Sequence, residues 1–84
     1  MKHEIKIGVD FAEAIIAGEK RFEVRRNDRG YQKGDLIAFK VTDRDWNPIE
    51  HPLNSSVFEI TYVLSGWGLR DGFVAFGIVP ASIW

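Results

Sequence analysis

The stretch Gly18-Glu19-Lys20-Arg21-Phe22-Glu23-Val24-Arg25-Arg26 changes its hydrophobic period part-way along, and that change decides the fold. Upstream of it, Asp10-Phe11-Ala12-Glu13 reads as a capping box, with Asp10 as N-cap and Glu13 three residues later. Phe11 and Ile15 share one helical face at i,i+4. Gly18 can supply the left-handed conformation that closes a helix. The expected helix, Phe11–Ala17, is about two turns long and persists only if packed through Phe11 and Ile15. From Arg21 the period is two: Phe22 and Val24 point to one face, assigned to the core, and Arg21, Glu23 and Arg25 to the other.

Strands surround this junction. His3–Gly8 alternates, with Ile5 and Ile7 opposite Glu4 and Lys6, which predicts a half-buried strand. Arg26–Asp35 carries Asn, Asp and two glycines and reads as loop. Leu36–Val41 is a third strand, and Thr42–Ser56, with two prolines, a long and partly extended connection. In Val57–Leu64, residues Phe58, Ile60, Tyr62 and Leu64 form one apolar face. Ser65–Gly72 is a glycine-punctuated loop. Phe73–Val79 is apolar on both faces and reads as an interior strand ended by Pro80. The tail Ala81–Trp84 could fold back. No βαβ alternation follows the helix. The expected class is α+β and β-rich: a small, bent-sheet β-barrel of five to six strands, with one short helix after the first strand. The expected core includes Phe22, Val24, Phe39, Phe58, Ile60, Leu64 and Phe76.

Eighty-four residues predict a single domain, residues 1–84. A chain this small buries roughly 60–65% of its unfolded surface, so its core is thin. It has no cysteine and so no disulfide, thiolate metal site or cysteine nucleophile. His3 and His51 lack ligand-spaced partners, so no metal is expected. No apolar run reaches the length of a signal peptide or membrane span, and the expected location is the cytoplasm. No P-loop, GxGxxG or GxSxG motif is present, and no cofactor is expected.

The charge is uneven. Lys20–Lys33 holds six positive and two negative side chains, a local charge of +4, while the remaining 70 residues sum to −5. Such an asymmetry points to a site or docking face, not to a general affinity for polyanions.

Gly18, Lys20, Glu23 and Arg25 fit the pattern G-x-K-x-x-E-x-R, which resembles the signature of ASCH domains, small β-barrels of the PUA-like superfamily linked to RNA and modified nucleosides. The likeness extends to His3–Ile7, Phe11–Lys20, Phe22–Asp35 and Gly68–Ile78, and is similar in layout to a compact group of uncharacterised bacterial and phage ASCH-like proteins. It covers most of the chain apart from Thr42–Ser56. Fold follows from such a likeness more firmly than activity does.

The residues themselves allow two readings each. Strand alternation sets Glu23 beside Arg25. Together they could hold a ligand, Arg25 through its planar fork and Glu23 by accepting from an exocyclic amine; or they are neighbouring charges on a solvated face. The motif favours the ligand. Lys20 could contact phosphate or simply favour a helix C-terminus. Asn27 and Asp28 are turn formers as well as candidate contacts. Arg29 and Lys33 are candidate peripheral phosphate contacts. Tyr31 lies among cations, where a base could stack, or anchors the loop. Trp67 could line a pocket mouth or cap the core, and Trp46 is a weaker candidate of the same kind.

Three function classes remain. Some ASCH proteins hydrolyse N4-acylated cytosine nucleosides with a lysine, a threonine three residues later and a distant carboxylate. Here Lys20 is kept, but Glu23 stands in the threonine position. The segment Ser65–Gly72 replaces the acid-bearing helical insertion, with Asp71 its one acid. The catalytic set does not carry over, and Glu23 beside Lys20 would hold that amine in its charged form. RNA or nucleotide binding is the favoured expectation, with amidohydrolase and protein-binding adaptor of phage or bacterial origin as alternatives. Sequence-independent duplex binding does not fit a slightly acidic chain.

Overall fold

In the computed structural model, described for residues 1–81, the chain folds as β1 (Lys2–Gly8), α1 (Val9–Ile16), β2 (Phe22–Arg26), β3 (Leu36–Thr42), a 3₁₀ turn (Pro52–Ser55), β4 (Val57–Ser65) and β5 (Phe73–Pro80). The tail expected to fold back lies outside the described residues beyond Ala81. The strands form one curled half-barrel sheet in the order β1-β3-β4-β5-β2. β1 runs parallel to β3; the other pairings are antiparallel. This is the β-rich architecture with one helix after the first strand that the sequence predicts. β5 is flanked by β4 and β2, as its two apolar faces require.

The core fills the concave side. Ile5 and Ile7 of β1, Ile37, Phe39 and Val41 of β3, Phe58 and Ile60 of β4 and Val74, Phe76 and Ile78 of β5 are all buried. Ala12 and Ile15 pack the helix onto them. The Phe39 and Phe58 rings meet edge-on with centroids 5.6 Å apart, a favoured aromatic geometry.

Four expectations are corrected. The helix starts two residues early: Gly8 is its N-cap, and Asp10 sits in the first turn, where its charge suits the helix dipole, with no side-chain cap. Phe11 is exposed, and Ala12 is buried beside Ile15 in its place. β2 is inverted. Glu23 is only 5% exposed, whereas Phe22 is 51% and Val24 48% exposed. β2 is an edge strand, and inward-pointing charges are a known protection of such edges; their pairing is described below. Finally, the apolar face of β4 breaks at Thr61, a bulge that turns Tyr62 out to solvent and leaves Leu64 half-buried. Gly77 faces the bulge, and a Cβ there would lie 2.6 Å from Thr61 Oγ1. Gly18 closes the helix at φ 78, as predicted.

The long connection is well tied down. Thr42 bridges Pro48. Asn54 Oδ1 accepts from the Val41 N–H at 2.9 Å, and its amide donates to the Ile49 carbonyl at 2.9 Å. Leu53 is buried beneath it.

One polar pair lies within this frame. The buried His3 ring meets Asp35 Oδ2 at 2.8 Å, and the same oxygen accepts from the Gln32 N–H at 3.0 Å. The His3 hydrogen bond, helped by Gln32, holds the Asp35 carboxyl below the usual carboxylate range. His3 in turn lies against Tyr31, centroids 4.9 Å apart, and Tyr31 against Phe76 at 4.8 Å.

Two outcomes test this frame. Phe76→Ala should cost about 3–5 kcal/mol of unfolding free energy in urea titrations, while Phe22→Ala should cost less than about 1.5 kcal/mol; equal losses would mean that β2 is not inverted. The lowered pKa of Asp35 implies stability that is present above the usual carboxylate range and lost as pH falls through the lowered value. Asp35→Asn should therefore flatten the acid limb of the stability–pH curve, and an unchanged limb would contradict the pairing.

Candidate functional site

Order β1-β3-β4-β5-β2 leaves one backbone edge of β1 and one of β2 unpaired. Both border a single open cleft of about 1120 Å³, lined by the consecutive residues 4–8 from β1 and 22–26 from β2. Phe11, Ala14, Glu19 and Lys20 close one side from the helix and its C-terminal turn. Asp28, Arg29 and Tyr31 come from the basic loop, and Lys40 and Trp46 from β3 and the connection after it.

Glu23 organises the floor. Its register partner is Phe76, in the buried core. A carboxylate held there needs partners for both oxygens. Lys20 Nζ donates to Oε1, and Arg25 Nε donates to Oε2 at 2.8 Å. Lys20 also donates to the Phe22 carbonyl at 2.7 Å. Arg25 reaches across the cleft and donates through Nη2 to the Lys6 carbonyl of β1. The side chains of Lys20 and Arg25 are 15% and 24% exposed, so both keep one side toward the cleft.

Aromatic surface flanks these charges. Lys20 Nζ lies 5.5 Å from the Phe11 ring centroid and 5.1 Å from that of Phe22, within cation–π range. This explains why an outward Phe22 is still useful to the fold. Trp46 is 75% exposed at φ 68. Asp43 Oδ1 fixes its turn by accepting from the Asp45 and Asn47 N–H groups, each at 2.9 Å. Burial pushes the Tyr31 phenol above its ordinary value, against the lowering influence of Arg25 and Arg29. It is therefore neutral near pH 7 and can donate or accept a hydrogen bond.

Lys20, Glu23, Arg25, Asp28, Arg29 and Tyr31 thus border one concavity, despite the break between Lys20 and the strand. Asn27 and Trp67 do not line it. Asn27 Oδ1 accepts from the Tyr31 N–H at 3.0 Å and so shapes the loop. Trp67 stands on the β4–β5 hairpin tip, away from a pocket mouth. The Lys6 carbonyl and the ring of Phe11 had no sequence signal, because a backbone group and a residue assigned to the core give none. Among the described residues no His, Cys, Asp or Glu cluster could hold a metal ion. No described helix is long and apolar enough to cross a membrane.

Residues 2–78 match the family described as Domain of unknown function (DUF3850), and the chain belongs to it. It is also similar to an uncharacterised 12.9 kDa protein encoded in the GpA 3′ region of Escherichia phage P2, with 37% identity over 35 residues. That match covers 42% of this chain and 32% of the phage protein, so it spans about a third of that relative. In three dimensions the chain is similar to the hypothetical protein PH0355, whose crystal structure superposes with a TM-score of 0.62. The superposition covers 96% of this chain and 100% of the other at 20% identity, a likeness of fold.

Glu23→Gln tests the triad. It leaves two cations facing one another with one shared acceptor weakened, and should cost about 2–4 kcal/mol in urea unfolding. A loss no larger than that of an ordinary surface change, about 0.5 kcal/mol, would contradict the arrangement.

Proposed function

We propose that the cleft between β1 and β2 binds a nucleotide or a short RNA element. One observation carries this reading: Lys20 and Arg25, fixed by Glu23 at the floor of the cleft, keep hydrogen-bond donors that the protein does not use. Both Glu23 oxygens are engaged by Lys20 and Arg25. Glu23, buried and paired through both oxygens, orients the two cations and is poorly placed to accept from an exocyclic amine. Of three ammonium N–H groups on Lys20, two are used within the protein; of five on Arg25, two are used. The remaining donors suit carbonyl, ring-nitrogen and phosphate oxygen or nitrogen acceptors. Over its whole lining the cleft sets Lys6, Lys20, Arg25, Arg26, Arg29 and Lys40 against Glu4, Glu19, Glu23 and Asp28, a net charge of +2, enough for about one or two phosphates and too little for duplex binding. Phe11 and Trp46 offer surfaces on which a base can stack, whereas Tyr31, buried between His3 and Phe76, anchors the loop and offers no open face.

The ASCH-like pattern at Gly18, Lys20, Glu23 and Arg25 supports the same reading, and we read the chain as a cytoplasmic member of that PUA-like group. The hydrolytic alternative is less well supported. The Lys20 amine is committed to the Phe22 carbonyl and Glu23, and Glu23 occupies the position where the hydrolases place threonine.

Titration with nucleoside monophosphates and short RNAs at low salt tests the proposal. Arg25→Ala should abolish binding, and Arg25→Lys should weaken it at least about tenfold, because a point charge cannot replace the fork. Arg29→Ala should only weaken it and should reduce the salt dependence by about one phosphate's share. Thermal unfolding of each variant separates lost binding from lost fold. N4-acetylcytidine should not be turned over. Absence of binding across the whole panel would overturn the proposal and leave the adaptor reading.

A further inference from the structure

The β4–β5 hairpin tip carries a feature that neither the core nor the cleft uses. Trp67 is 89% exposed and adopts φ 53, between Gly66 at φ 74 and Gly68 at φ 89. Left-handed backbone is unfavourable for a bulky residue where glycine or asparagine would adopt it readily. A large apolar ring in solvent contributes nothing to folding. The fold thus carries both a strained backbone and an exposed ring at one position, with no structural return.

Its surroundings suggest what the ring is for. The Phe73 ring at the start of β5 lies under two guanidinium groups, Arg26 at 4.9 Å and Arg70 at 6.0 Å. Arg26 lines the cleft, whereas Arg70 belongs to the hairpin loop that holds Trp67. The two loops are joined directly: the Asn27 N–H donates to the Gly72 carbonyl at 2.8 Å. The basic loop and the hairpin tip therefore occupy the same end of the sheet. Arg26, Arg29 and Arg70 give this end a surplus of positive charge over Asp28 and Asp71. Arg26 at the cleft and Arg70 in the hairpin loop thus share the Phe73 ring, and the exposed Trp67 stands three residues before Arg70 in the same loop.

We propose that this end of the sheet is a second nucleic-acid contact, in which a single-stranded RNA leaves the cleft over Arg26 and Arg70 and stacks a base on Trp67. The inference rests on the nucleotide reading of the cleft and deepens it: the ligand is a single strand of several nucleotides, not a mononucleotide. Alternating cations and aromatic faces are how proteins hold single strands without reading their sequence. A duplex would keep its bases stacked and offer none to Trp67.

The test compares nucleoside monophosphates with a single-stranded RNA of about six nucleotides, using wild type, Trp67→Ala, Trp67→Phe and Arg70→Gln. The wild type should bind the oligonucleotide at least about tenfold more tightly than any monophosphate, the worth of one base–aromatic stack. Trp67→Ala should remove most of that advantage and leave monophosphate binding unchanged. Trp67→Phe should retain much of it, and Arg70→Gln should reduce the salt dependence of oligonucleotide binding alone. Monophosphate binding with no gain for the oligonucleotide, or a gain that survives Trp67→Ala, would overturn this inference and leave the cleft proposal intact. Failure to bind either probe would overturn the cleft proposal and this inference with it.

Discussion

A single buried carboxylate holds the two ends of the sheet in relation to one another. Glu23 sits against the core, where an unpaired charge would cost several kcal/mol. Its two partners are therefore not optional. Lys20 is drawn in from the end of the helix turn and Arg25 from two residues along the strand. Arg25 then spans the cleft to the Lys6 carbonyl. β1 and β2 are at opposite ends of the strand order, yet this one side chain ties them together. The cleft has its width and its donor-lined floor because Glu23 fixes both cations.

The same constraint explains why the half-barrel stays open. A small domain gains most by burying apolar surface, and a β2 turned the other way would bury Phe22 and Val24. The chain instead directs charge inward at an edge, which costs stability and protects that edge from pairing with another strand. Phe22 recovers part of the loss by covering Lys20 from outside. On the proposed reading, the open cleft, bordered by two backbone edges and polar side chains, is where the ligand sits. The proposed site would then be held at some cost in stability, as is common where function sits on a small scaffold.

Much of this was legible in the sequence because it is local. The switch from helical to strand period at Gly18–Phe22, the strand positions and the interior character of β5 all follow from patterns within single elements. Glu23 and Arg25 share a face for the same reason. What was not legible depends on partners distant in the chain. Alternation names two faces of β2 but not which one is inward, and hydrophobicity chose wrongly because Lys20, outside the strand, compensates the buried charge. The bulge that turns Tyr62 outward is matched by Gly77 on another strand. Phe11 is exposed while Ile15 is buried, because helical spacing groups the two on one stripe and does not say how much of that stripe the sheet covers. The second wall of the cleft comes from β1, nineteen residues from Arg25, and no motif marks it.

The most direct test of the cleft is a map of backbone amide chemical shifts recorded while a panel of nucleosides, nucleotides and short RNAs is added. If the cleft is the site, the largest changes fall on both of its walls, residues 4–8 and 20–29, which meet only in the folded protein. No change with any member of the panel, or changes confined to β3 and β4 on the far side of the sheet order, would contradict it.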